Sequence, residues 1–422
     1  MSRAPTAAAP GKDGMIAIRN GRILDPVAGT LIEGGVLMRD GLIEAIGDIE
    51  HGMFRRCDVV ADARGAVIAP GLVDVGIFAV DAAASRAGGI TTALLMPDQT
   101  LALDAPALVR EAAGATADVT IHPIAAATRG LEGRELAEIG LMQRSGAVAV
   151  ATGRAWIADS GLMYRLLSYA NALGMIVISH AEDAGLAAGA HATDGEMATR
   201  LGLASAPAAA EAMAVARDLT LAEETGARLH FRTLSTARAF DLVRAAKKRG
   251  VRVTCGVSPA HLLLSDQAIG PFRTFARLSP PLRSEEDRKA TIAAVRDGTV
   301  DIIGSGHDPR GPEAKRLPYA SAEPGMAGAA TLLTLALTLV RDGMIDLPRL
   351  FALLSTAPAA LFGVAGGRME VGAPADLILV DPDAPWKIDA AALPGRAGNT
   401  PFDDLPVQGR VLTTIKGGQP LG

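Results

Sequence analysis

Eight short runs of β-branched and apolar residues, separated by helical segments, constrain the fold of this chain more than any other feature. Regular alternation of strand and helix patterns is typical of βα units whose strands lie parallel in one sheet. One intervening helix, AEAMAVARDLTLAEETG, ends at a glycine, and another, SEEDRKATIAAVRDG, begins with Ser284 and Asp287 at capping-box spacing. Eight such units predict an α/β fold, a (β/α)8 barrel of the TIM type. The predicted strands are residues 71–78, 91–97, 119–125, 147–151, 175–180, 228–233, 251–257 and 300–306.

Short β-like runs with turn residues flank the barrel at both ends of the chain. Asn20-Gly21 and Asp40-Gly41 favour hairpin turns, because Asn, Asp and Gly tolerate positive φ. The same pattern returns in GRMEVGAPADLILVDPDAPWKI and GRVLTTIKGG near the C-terminus. We therefore expect residues 16–67 and 366–422 to pair into one small β-sandwich beside a barrel of residues 68–365. Residues 1–15 have no apolar run of signal-peptide length, and we expect a flexible, non-targeting tail.

Composition disfavours several classes of function. The formal net charge of −5 provides no basic surface for nucleic acid or an anionic membrane. Cys57 and Cys255 are far apart in sequence and form no zinc or disulfide motif. The long apolar window GMAGAATLLTLALTLVRDGMIDL is broken by Arg341 and Asp342, which favours a buried helix over a membrane span. These features predict a cytoplasmic protein.

Active sites of (β/α)8 barrels lie at the C-terminal ends of the strands, and this chain has few metal ligands there. A catalytic zinc normally needs three protein ligands, and among the strand ends only His180 is a good one. A site rebuilt from His180, His261, His307 and Asp308 is an alternative, although isolated histidines more often hydrogen-bond to backbone. The sequence contains no G-x-S-x-G elbow and no Gly-rich phosphate or dinucleotide loop.

The order of segments from about residue 16 to residue 416 resembles the bacterial dihydroorotases of the amidohydrolase superfamily. The resemblance is carried by PGLVD, AGGITTALLMPDQT, HAED, LGLASAPAAAEAMAVARDLTLAEETGARLHF, LSTARAFDLVRAAKKRGVRVTCGVSPAHLLL, SPPLR, GHDP and NTPF followed by GRV. It implies a metal-dependent barrel that hydrolyses a cyclic amide, in which zinc activates water and a carboxylate moves the proton.

The resemblance also implies which positions should carry that chemistry, and most are substituted. The family's H-x-H ligands fall on Gly76 and Phe78, and a substrate-binding arginine falls on Val80. The asparagine of its M-P-N-T falls on Asp98. The Asp-Asp-Gly after the fourth strand, a histidine ligand after the sixth and the general-base aspartate fall on Thr152-Gly153-Arg154, Thr233 and Gly306. Of the ligand set only His180 is retained, while Ser235 and Thr236 persist beside Thr233. The substrate loop is reduced to AVDAAASRA.

This pattern of loss predicts a chain without catalytic residues, cofactor or metal. The resemblance implies a non-catalytic dihydroorotase homologue that assembles with the catalytic chain of aspartate transcarbamoylase, as a homo- or hetero-oligomer. Arg154 and Trp156 are residue types that anchor interfaces, although packing of Trp156 beneath the barrel rim is the favoured interpretation. Two alternatives stay open: an active cyclic-amide hydrolase of the dihydroorotase or hydantoinase type with a rebuilt or mononuclear zinc site, and a binding protein for a pyrimidine-like ligand.

Overall fold

The centre of the molecule is a parallel sheet of eight strands that follow one another in chain order. The computed structural model describes residues 14–114, 116 and 118–421. Each strand overlaps one predicted run, and the first two are buried along their whole length, as expected for strands covered on both faces. The predicted (β/α)8 barrel is confirmed. The strands are Leu72–Ile77, Ile90–Leu95, Thr120–Ala126, Ala149–Ala151, Ile176–Ser179, Arg228–Phe231, Val253–Val257 and Ile302–Ile303.

The first and last barrel strands meet through a buried carboxylate. Asp74 is fully buried in the first strand and accepts a hydrogen bond from the backbone N–H of Ser305 at 2.8 Å. The Ser305 hydroxyl donates to the other carboxylate oxygen of Asp74. One step further along, the backbone N–H of Phe78 donates to the carbonyl of His307 at 2.9 Å. These contacts hold residue 78 beside residues 306–308 at the C-terminal end of the barrel.

Helices cover the outside of the barrel, and the predicted helix ends are present. The helix Ala209–Thr225 ends at Gly226, which is left-handed. The hydroxyl of Ser284 accepts from the backbone N–H of Asp287 at 3.2 Å, as a capping residue should. The main helices are Ala82–Gly88, Pro106–Ala113, Ile139–Arg144, Ser160–Ala172, Glu196–Leu201, Ala209–Thr225, Ala237–Lys248, Glu285–Arg296 and Ala357–Phe362. Shorter helices are His51–Phe54, Ala184–Ala187, Pro259–Leu263, Pro312–Lys315, Leu332–Ala336, Thr338–Arg341 and Leu347–Phe351.

The apolar window predicted as a buried helix forms Leu332–Ala336 and Thr338–Arg341, and its residues Leu332, Leu333, Leu337 and Leu339 belong to the main core. Across the residues that the structure describes, no helix is both long and apolar enough to cross a membrane.

The two ends of the chain meet in a second sheet of eight strands. Val67–Pro70 joins them, because it pairs antiparallel with residues 377–380 and parallel with residues 22–23. Side chains from both ends share one apolar core that includes Met38, Ile68 and Leu377. The expected pairing of the two ends in a small β unit is confirmed. Its strands are Met15–Asp25, Thr30–Arg39, Leu42–Gly47, Val59–Asp62, Val67–Pro70, Leu377–Lys387, Pro406–Lys416 and Gln419–Pro420.

The start of the first strand and the turns of this β unit differ in part from the predictions. Met15, the last residue of the predicted tail, is fully buried in the first strand, while residues 1–13 of that tail lie outside the described residues. Asp40-Gly41 forms the expected turn, but the hairpin predicted at Asn20-Gly21 is wrong. Asn20 (φ 56°) lies in a bulge inside the first strand, and the chain reverses at residues 26–29 instead. Pairing resumes at Gly21, which lies so close to Ile68 that an added Cβ would be 2.5 Å from its Cδ1.

Candidate functional site

Phe78 and two arginines fill the C-terminal end of the barrel. Arg154 follows the fourth strand and Arg232 follows the sixth. The guanidinium carbon of Arg154 lies 3.7 Å from the centroid of the Phe78 ring, and that of Arg232 lies 4.8 Å from it. A guanidinium over an aromatic face is attracted by the ring's negative potential. Each guanidinium is therefore attracted to the ring of Phe78, at the position where the family resemblance implies a metal ligand.

Arg154 also connects the loops that follow the fourth and eighth strands. Its guanidinium forms a two-pronged ion pair with Asp308, in which Nη2 lies 2.9 Å from Oδ1 and Nη1 donates to Oδ2. Its backbone N–H donates to Oδ1 of Asp98 at 2.9 Å. Arg310 donates to Oδ2 of Asp308 at 3.0 Å, so that one buried carboxylate pairs with two arginines. Arg154, a residue type that anchors interfaces, is thus tied into the end of the barrel.

Three glycines make room for these side chains, and all three have positive φ: 84° at Gly76, 82° at Gly153 and 62° at Gly306. A Cβ added at Gly76 would lie 3.0 Å from Cδ of Arg232, and one at Gly153 would lie 2.8 Å from Oδ1 of Asp98. A Cβ at Gly306 would lie 3.1 Å from Cε of Met326. A histidine or aspartate at these positions would strain the backbone and require these neighbouring side chains to shift.

His180, the retained ligand, has its contacts within the protein. Its backbone N–H donates to the hydroxyl of Thr152 at 3.1 Å. Its Nδ1 lies 3.4 Å from Nη2 of Arg232, which can only donate, so this ring nitrogen acts as the acceptor. Its Nε2 lies 3.5 Å from a carboxylate oxygen of Glu182.

The other histidines of the predicted cleft are bound separately. His261 contacts the hydroxyl of Ser258 through Nδ1 at 2.9 Å and the carbonyl of Pro280 through Nε2 at 3.1 Å. Nδ1 of His307 accepts from the backbone N–H of Ala329 at 3.3 Å. Burial lowers the pKa of both imidazoles to about 4, so both are neutral at pH 7. The structure places the four cleft residues around one barrel end but gives each its own partners.

The side chains present do not fit a zinc ion. Glycine and phenylalanine offer no ligand atoms at residues 76, 78 and 306, and two guanidinium cations occupy the space between those residues. Within residues 14–114, 116 and 118–421, no cluster of three or more His, Cys, Asp or Glu side chains is arranged to hold a metal. We derive no catalytic step through a metal.

The space that remains at this end of the barrel is small. A cavity of about 30 Å³ lies between Arg154, Arg232, Thr233, His261 and Asp308. Small-molecule sites usually enclose about 300–1,000 Å³, whereas a water needs about 10–15 Å³ by this measure. The cavity holds one or two water-sized groups and has no room for a pyrimidine ring.

The persistent Ser235 and Thr236 have a structural role. Both residues donate backbone and side-chain hydrogen bonds to the carboxylate of Glu211, at distances of 2.6–3.0 Å, and Glu211 is 1% exposed. Ser235 and Thr236 therefore persist because they satisfy the hydrogen bonds of the buried Glu211 carboxylate. Val80, at the position implied for a substrate-binding arginine, packs half-buried against the barrel core.

Trp156 packs within the protein, as favoured from the sequence. The guanidinium carbon of Arg217 lies 3.8 Å from its ring centroid, and its indole N–H donates to Asp218 at 3.4 Å. Sequence reasoning missed Arg232, which sits inside the run RLHFRT. The feature that could have identified Arg232 is its position at a strand end, where the resemblance implies a metal centre.

Comparison with known proteins agrees with this fold. The model of the "Amidohydrolase family" matches residues 69–421. A dihydroorotase of Pelotomaculum thermopropionicum is 39% identical over 420 residues, with 96% of this chain and 97% of that protein covered. A "Dihydroorotase-like protein" of Pseudomonas aeruginosa is 37% identical over 418 residues, with 96% and 98% covered. Among solved structures, the L-hydantoinase of Arthrobacter aurescens superposes with a TM-score of 0.84 at 26% identity, and 96% of each chain is covered.

The family match spans the whole barrel and the C-terminal strands, and the relatives align over nearly the full chain. The barrel and its accompanying sheet have the same architecture as the hydantoinase. On these grounds the chain belongs to the amidohydrolase family and is dihydroorotase-like in sequence.

Proposed function

We propose that this chain is a catalytically inactive dihydroorotase-like protein of pyrimidine biosynthesis that serves as a structural or regulatory partner of aspartate transcarbamoylase in the cytoplasm. The observation that carries the inactivity is the ion pair of Arg154 with Asp308 over the Phe78 ring. It occupies the barrel end where related enzymes need open metal coordination.

Hydrolysis of a cyclic amide needs an activated water, a polarised carbonyl and a group that moves a proton. Gly306 stands where the resemblance implies the general base, and it has no side chain. The neutral imidazoles of His261 and His307 are hydrogen-bonded to fixed partners. The alternative of an active hydrolase would require Arg154 and Arg232 to leave the site together. No contact in the described part of the chain favours that movement.

The proposed partnership with aspartate transcarbamoylase is supported by family likeness. The resemblance implies non-catalytic homologues that assemble with aspartate transcarbamoylase, and one relative is itself named dihydroorotase-like rather than dihydroorotase. A maintained fold without an open site is consistent with selection for assembly. The partner is therefore a hypothesis from family likeness, independent of the site geometry.

Inactivity is tested by incubating the purified chain with dihydroorotate and with carbamoyl aspartate, with and without added zinc. We expect no conversion in either direction and no zinc retained after gel filtration. Zinc bound at near one equivalent and lost in His180→Ala or His307→Ala would support the alternative hydrolase. A dihydroorotase of 39% identity is the positive control.

The partnership is tested by co-expressing this chain with the aspartate transcarbamoylase of the same organism. Native mass and carbamoyl-transfer activity are measured for the mixture and for each protein alone. We expect a joint assembly whose transferase activity or oligomer size depends on this chain. Two proteins that stay separate, with full transferase activity alone, would remove the proposed role while leaving the inactivity result unaffected.

A further inference from the structure

We propose that the cavity beside Arg232 binds one small monovalent anion, of the size of chloride or formate. This site is distinct from any pyrimidine site, because the cavity of about 30 Å³ excludes a ring. It is also independent of whether the chain assembles with a partner.

Arg232 is a buried cation with little compensation. Its residue is 8% exposed, and its Nε is fully buried without a hydrogen-bond partner. Its hydrogen bond to Nδ1 of His180 is long, at 3.4 Å. In the described part of the chain, no carboxylate oxygen lies within 4.0 Å of its guanidinium. An isolated buried charge is strongly unfavourable unless something pairs with it.

The carboxylates nearest to Arg232 are paired with other groups. Asp98 accepts from the backbone N–H of Arg154, and Asp308 is shared by Arg154 and Arg310. Asp98 and Asp308 both act to raise the pKa of the Arg232 guanidinium, but in the described part of the chain neither forms an ion pair with it. Arg310 pairs in addition with Glu323 at 2.7 Å. An anion in the cavity would give Arg232 a partner in direct contact.

The lining of the cavity suits an anion. Thr233 and Ser279 contribute hydroxyl groups, which can donate to an anion. Ser258 also lines the cavity, but its hydroxyl donates to Nδ1 of the neutral His261 at 2.9 Å. The one carboxylate that lines it, Asp308, is engaged by the two arginines. A guanidinium together with hydroxyl donors favours a halide or a small carboxylate over a cation.

The first test uses thermal unfolding of the full chain in chloride-free buffer. Sodium chloride is titrated against sodium gluconate at equal ionic strength, because gluconate is too large for the cavity. We expect a saturable rise in melting temperature with chloride only, since a ligand that binds the native state stabilises it. Arg232→Met should abolish the rise. Arg134→Met, at an arginine whose side chain is 84% exposed, is the matched control and should retain it.

A second test does not depend on that variant folding. Crystals of the wild-type chain grown in sodium bromide should show an anomalous peak beside Arg232, and Thr233→Val should weaken the chloride titration several-fold. An identical response to chloride and gluconate, together with only water in the cavity, would overturn the proposal.

Discussion

Replacing Arg154 tests whether the ion pair at the end of the barrel holds the structure together. In Arg154→Met the stem over Phe78 is retained and the charge is lost, so that Asp308 keeps only Arg310. Breaking a buried pair costs about 3–5 kcal/mol. The side chain of Arg154 is 34% exposed, whereas that of Asp308 is 10% exposed, and solvent screening lowers the expected loss to about 2 kcal/mol. For a chain of 422 residues this corresponds to a fall in melting temperature of about 2 °C.

The assay is urea unfolding followed by tryptophan fluorescence in a Trp386→Phe background. Trp156 then reports on the loop that contains Arg154, separately from the β unit. A double-mutant cycle of Arg154→Met with Asp308→Asn isolates the pair, and we expect a coupling free energy of about 1–2 kcal/mol. Arg134→Met should change stability by less than about 0.5 kcal/mol. A coupling below about 0.5 kcal/mol would refute the view that this pair fastens the two loops.

Three further predictions concern buried charge, space and metal. Burial raises the pKa of Asp74 to about 6, above its value near 4 in the unfolded chain. The protonated carboxyl therefore stabilises the native state fully below pH 4, and about 3 kcal/mol of the free energy of unfolding is lost as the pH rises through 6. Asp74→Asn should remove that loss, and a urea midpoint at pH 8 below that of wild type would contradict this. Gly76→His should unfold at a lower urea concentration than Gly133→His. Both glycines have positive φ, but only a side chain at residue 76 would meet a neighbour, Arg232. Equal urea midpoints for the two variants would show that Arg232 moves aside easily. Dialysis against EDTA should leave the melting temperature within about 1 °C, since the side chains at the barrel end do not fit a zinc ion, and a larger fall would reveal a stabilising metal.

The strands and helix ends were predictable because they depend on local patterns. Runs of β-branched residues gave all eight barrel strands, and Ser284 caps its helix as its spacing indicates. Asn20-Gly21 shows the limit: the dipeptide tolerates a turn, but contact of Gly21 with the distant Ile68 decides for a bulge. Local preference yields when tertiary packing supplies more contacts.

The sequence predicted where the candidate site lies, but not which side chains fill it. Strand ends identified where to look, and the substitutions at residues 76, 78 and 306 indicated missing ligands. That Arg154 would turn inward to Asp308, 154 residues away, depends on a pairing that no periodicity encodes. Arg232 was missed because arginine is rarely buried, and its packing against Gly76 is a tertiary contact that the local pattern does not indicate.

The pairing of Val67–Pro70 with residues 377–380 sets an order of events during synthesis. The N-terminal strands leave the ribosome first, yet one edge of Val67–Pro70 has no partner until residues 377–380 have been made. All four of its residues are buried in the finished fold, so that the nascent chain carries an apolar strand edge while the whole barrel is translated. Such edges pair readily with other chains. Translation of the last strands is therefore the step that protects the chain from aggregation, and a product that stops before residue 377 would leave this edge open.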